Sequence, residues 1–168
     1  FIPNCLYAQN KSKSDDLNVW IELKEADIIP LSLGKHERKI HAYIREKSWK
    51  KAARLIEDLG DAQRYLKAWL YNKAEAWDEV LLHVNGLETH PILKDQASYL
   101  KAQAAESLSQ HQVAIDATEQ ITQVDQALWR ETLRVRALAL RGVKRWNDAQ
   151  KVYQQLLESP RDEQRGVA

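Results

Sequence analysis

A chain of 168 residues with 25 Lys and Arg against 24 Asp and Glu carries a net charge of +1, which supplies no overall field for holding a polyanion and disfavours nucleic acid as a partner. The length suits one domain or one solenoid of a few repeats, and 44% hydrophobic residues with only 5 Gly and 4 Pro argue against a strand-and-turn fold and for helices. The single cysteine, Cys5, excludes an internal disulfide and any multi-thiolate zinc site.

In chain order, the opening FIPNCLYAQ reads as the tail of an apolar segment. Ala8-Gln9 fits a signal-peptidase site apart from the large Leu6. Ile2-Pro3-Asn4-Cys5 resembles a loose lipoprotein box in which Cys5 carries lipid, with a plain linker cysteine as the alternative. Both features lean toward the periplasm or cell envelope over the cytoplasm. No apolar run reaches the roughly 20 residues needed to cross a bilayer, so no transmembrane segment is expected. Residues 1–18 end in the polar QNKSKSDDLN, which cannot bury enough surface to order itself and is expected to be a flexible leader. Residues 19–34 hold a short helix, VWIELKEADII, and a linker broken by Pro30 and Gly34.

From Lys35 onward the text repeats. A phrase of an aromatic or His, two polar residues and a small residue opening an apolar helix recurs at SWKKAARLIEDL, AWDEVLLHVNGL, QHQVAIDATEQI and RWNDAQKVYQQLL, with Val80 and Val113 departing from it. The anchors Trp49, Trp77, His111 and Trp146 stand 28, 34 and 35 residues apart, and two of these intervals sit on a helix-pair period of about 34. The short first interval predicts a trimmed helix or tighter turn. Each anchor is preceded by a first helix (Ile40 and Tyr43; Arg64, Ala68 and Tyr71; Ser98, Ala102 and Ala105; Leu133, Ala137 and Leu140). Each is followed by a second helix (Ala52, Ile56 and Leu59; Val80, Val84 and Leu87; Ala114, Thr118 and Ile121; Ala149, Tyr153 and Leu156). Small residues let helices approach closely, apolar residues three and four apart form the buried stripe, and stacking covers what one pair leaves exposed. The tryptophans are then packing residues at turns.

These spacings resemble the tetratricopeptide (TPR) repeat family over residues 35–160, with 161–168 as a C-terminal extension. No unit has Gly at the small position of its first helix, which marks a divergent relative. The resemblance implies an all-α, right-handed superhelical array of about four antiparallel helix pairs. It also implies that first helices line a concave groove, which selects His41, Arg45, Tyr65, Trp69, Asn72, Tyr99, Gln103, Arg134, Leu138 and Arg141 as partner-binding positions.

No chemistry competes with that reading. The histidines 36, 41, 83, 90 and 111 show no helical zinc spacing, SLGKHERK is no phosphate loop, and Cys5 has no positioned base. No catalytic residue, metal or cofactor is therefore expected. Charge is segregated: residues 130–151 hold Arg130, Arg134, Arg136, Arg141, Lys144, Arg145 and Lys151 against Glu131 and Asp148, whereas residues 101–129 are acidic. The leading expectation is a non-catalytic scaffold for a protein or peptide partner. The alternative rests on LKAWLYNKAEAWDEVLLHVNGLETHPILKDQASYLKAQAAESL, which resembles the superhelical region of a periplasmic lytic transglycosylase and implies peptidoglycan as a partner and an active site beyond Ala168. Glu106-Ser107 reproduces that family's catalytic dipeptide but lies on a repeat helix without the GLMQ phrase, so Glu106 is not expected to be catalytic.

Overall fold

The computed structural model describes residues 33–122 and 126–158. The expected leader, most of the linker segment, Cys5 and the 161–168 extension lie outside the described residues. Among the described residues there are eight α-helices and no strand: α1 Glu37–Arg45, α2 Trp49–Leu55, α3 Asp61–Lys73, α4 Trp77–Val84, α5 Lys94–Ser107, α6 His111–Glu119, α7 Gln126–Gly142 and α8 Trp146–Glu158, with one 3₁₀ turn at Leu87–Thr89. The four repeat anchors are the first residues of α2, α4, α6 and α8. Each helix packs on the next in sequence, and α3 also touches α5 and α5 touches α7. That connectivity is a linear stack of helix pairs.

The core follows the expected positions. Ile40, Ala52, Ala68, Val80, Val84, Leu87, Ala102, Ala105, Ala114 and Ala137 have no exposed surface, and Leu133, Leu140 and Ala149 almost none. Helix α5 buries Ala97, Ser98, Leu100, Ala102, Ala104 and Ala105, almost its full circumference, because alanines admit neighbours on every side. Leu59 departs from expectation and is 57% exposed. Helix α2 ends at Leu55 and Ile56 is extended, so Leu59 lies in a connection rather than on a helical stripe. That connection also explains the short first interval: α2 and α3 are joined through residues 56–60, whereas α4 and α5 are joined through the longer 85–93, which includes the 3₁₀ turn.

All four hairpins among the described residues close with the same turn. Lys47, Glu75, Ser109 and Lys144 have φ of 56°, 54°, 60° and 62°, the left-handed conformation that ends many helices. The next residue's N–H reaches back to the first helix: Ser48 to Tyr43 O at 2.8 Å, Ala76 to Tyr71 O at 3.0 Å, Gln110 to Ala105 O at 2.8 Å and Arg145 to Leu140 O at 2.8 Å. This is the Schellman arrangement, which satisfies carbonyls the helix end leaves open. None of the four residues is glycine, so each carries the Cβ crowding of a left-handed conformation. Replacing Glu75 by Gly is therefore expected to raise stability by about 0.5–1 kcal/mol, the relief of crowding exceeding glycine's extra chain entropy. Urea unfolding of the two proteins measures it, and a lower midpoint for Glu75→Gly would contradict the turn assignment.

Candidate functional site

Two of the expected groove residues are packing residues. Tyr65 is 3% and Trp69 7% exposed. The Trp69 ring meets Trp49 edge-on, with centroids 6.2 Å apart at 80°, and the Lys73 ammonium sits 5.2 Å from its centre. Because α2 lies against α3, the tryptophan that opens α2 lands on Trp69 and covers it. The same relation recurs at His111, whose ring occupies the space a Cβ at residue 142 would fill, so Gly142 at the end of α7 is what admits it. Trp146, at the equivalent place in α8, is 60% exposed. Trp69→Ala should thus act as a core truncation, costing about 3–5 kcal/mol, rather than as the removal of an exposed anchor. Chemical denaturation reads this, and a loss under about 1 kcal/mol would return Trp69 to the surface.

The other expected positions are more open. Asn72, Tyr99 and Gln103 are half-buried, while Arg134, Leu138 and Arg141 are exposed. Asn72 Oδ1 is shielded from solvent with no hydrogen-bond partner. Burial pushes the Tyr99 hydroxyl up to about 12, with Glu131 adding to the shift and Arg134 opposing it, so it stays a protonated donor at neutral pH. Tyr99 of α5 packs on the cluster that includes Val135 of α7, and Glu131 and Arg134 on that helix are 3.5 Å apart. Arg141 donates to the Tyr153 hydroxyl at 3.4 Å. His41 lies 3.7 Å from Glu37 and Arg45 is exposed.

A second feature escaped the sequence reading. Lys67, Lys101 and Arg136 occupy the same place in three successive first helices, and each reaches a carboxylate at the end of the preceding pair. Lys67 Nζ is 3.2 Å from Asp58 Oδ1, Lys101 pairs with Glu88, and Arg136 Nη2 is 3.1 Å from Glu119 Oε1. These pairs tie neighbouring hairpins together. Burial would raise the Glu88 carboxyl, but the Lys101 ammonium and nearby backbone donors outweigh it and hold the group below its usual value. A depressed carboxyl contributes stability that is present above the unfolded-state value and is lost as pH falls through the folded-state value. Lys101→Met should accordingly be less stable than wild type at pH 7, with the gap narrowing as the pH falls below about 4. Urea unfolding at both pH values tests this, and a gap that stays constant with pH would contradict it.

Among the described residues no group of three or more His, Cys, Asp or Glu is placed to hold a metal, and no helix is long and apolar enough to cross a membrane. Glu106, which the transglycosylase resemblance drew attention to, pairs with His111 Nδ1 at 3.0 Å across the hairpin turn. In comparisons with known proteins, residues 39–168 match the family described as T7SS, ESX-1 secretion system protein EccA1, N-terminal domain. No curated protein and no solved structure matches. The resemblance to a lytic transglycosylase, with its periplasmic setting and peptidoglycan partner, thus finds no support, since the match is to a secretion-system domain.

Proposed function

The chain belongs to the EccA1 N-terminal domain family of the ESX-1 secretion system, and from that premise we propose that it is a non-catalytic helical-repeat module that holds a protein or peptide partner in secretion. The partner-binding surface is the face of first helices carrying Tyr99 and Gln103 on α5 and Arg134, Leu138 and Arg141 on α7, with Asn72 at the end of α3. In a right-handed superhelical array these helices line the inner curve. One observation supports the reading: Tyr99 packs on the small cluster that includes Val135 of the next first helix, the residue after Arg134, while Leu138, one helical turn from Arg134, is left 37% exposed. An aromatic hydroxyl, a guanidinium and an apolar patch on one face suit a peptide with alternating acidic and apolar groups.

The experiment is calorimetric binding of the 168-residue chain to the other components of the ESX-1 secretion system. Arg134→Glu and Leu138→Asp are expected to weaken the interaction about tenfold or more while leaving the melting temperature within about 1–2 °C of wild type, as exposed sites allow. Equal binding by both variants would move the interface elsewhere, and no binding to any component would remove the scaffold reading.

A further inference from the structure

The last helix pair holds a second feature, on the opposite side of α7 from Arg134. Residues two apart on a helix point about 200° away from one another, so Arg136 faces away from the surface described above and lines a cleft of about 200 Å³ between α7 and α8. Arg145, Asp148, Lys151 and Gln155 complete its polar wall, over an apolar floor that includes Val152. Three cations therefore converge on one cleft. Asp148 engages Arg145 at 2.8 Å and reaches Lys151 only at 3.9 Å. Glu119 engages one Nη of Arg136, while Arg136 Nε is shielded from solvent with no partner. Two carboxylates thus face three bases, and one buried N–H donor is unspent.

The repeat itself supplies the contrast. Shifting by the 35 residues between His111 and Trp146 aligns Arg136, Arg145, Lys151 and Gln155 with Lys101, Gln110, Asp116 and Gln120. In that pair the one cation is matched by Glu88 and an acid stands where Lys151 stands. Tying hairpins together accounts for a cation at 136, as at 67 and 101, but not for Arg145 and Lys151 beside it, nor for a guanidinium with a spare Nε.

We propose that this cleft binds a compact oxyanion, a carboxylate or phosphate group, held by the exposed Arg145 guanidinium and Lys151 ammonium, with the charge of Arg136 in the cleft wall behind them. Planar guanidinium groups present paired donors to such oxygens, the cleft has room for one such group, and an incoming negative charge balances the excess cation. The site does not rest on the partner-binding face and stands or falls without it.

The test is nuclear magnetic resonance titration of the 168-residue chain with inorganic phosphate and, separately, with N-acetylglutamate, ionic strength being held constant with sodium chloride. Saturable shifts of α8 amides are expected, weakened about tenfold or more in Arg145→Gln and in Lys151→Gln and unchanged in Arg134→Gln on the other face. Arg145 and Lys151 are exposed, so these variants leave folding intact, which their amide spectra check. Saturation by phosphate alone or by N-acetylglutamate alone identifies which oxyanion the site prefers, and both support it. Shifts that never saturate, that chloride reproduces, or that persist in the two variants overturn the proposal.

Discussion

A helical hairpin has two sides and covers only one of them by folding on itself. In this chain the uncovered side is closed by the next hairpin, and the structure depends on that stacking. Helix α5 shows the constraint most clearly: with Ala97, Leu100, Ala102, Ala104 and Ala105 all buried, it has no wet face broad enough to stand as an isolated hairpin helix. It needs α3 and α4 on one side and α6 and α7 on the other. Alanine at the contacts sets the spacing, since a larger residue would hold the helix axes apart and break the close packing on which the stack relies.

Stacking alone does not fix the register of one hairpin on the next, and two further devices do. The left-handed residue at each turn gives all four described hairpins the same closing hydrogen bond, and the opening residues of α2 and α6 reach the first helix of the next pair. There Trp49 meets Trp69 and His111 fills the space left by Gly142. The cations at 67, 101 and 136 then pin each first helix to the carboxylate that ends the previous pair. Exposed pairs of this kind contribute little, and Asp58 and Glu119 are 57% and 51% exposed; the Lys101–Glu88 pair, with Glu88 12% exposed, is the least screened and carries the most weight in alignment.

What the sequence made legible was the repeat and most of the core, because the anchors at 49, 77, 111 and 146 and the small residues three or four positions away are local signals with a fixed helical period. What it hid was relational. The Lys67, Lys101 and Arg136 carboxylate partners lie 9, 13 and 17 residues upstream, so no single offset reveals them. The turn residues are Lys, Glu, Ser and Lys, where a reader looks for glycine. Tyr65 and Trp69 had the spacing of a groove face, yet a first helix in a stack is buried on more than one side, and the pattern of one helix does not say which aromatic stripe a neighbour covers. Leu59 failed for the opposite reason, since the helical period was carried past the residue where α2 ends.

Function follows from what stacking leaves over. The buried positions are committed to neighbours, whereas Arg134, Leu138, Arg145 and Lys151 stay exposed on the last pair. All of this presumes that the pairs fold as one unit, and native-state hydrogen exchange across increasing denaturant measures that directly. The account predicts that the slowest amides of α3, α5 and α7 converge on a single opening free energy, as mutually dependent stacked repeats require. Separate, unequal opening of α3 and α5, each hairpin exchanging on its own, would contradict it.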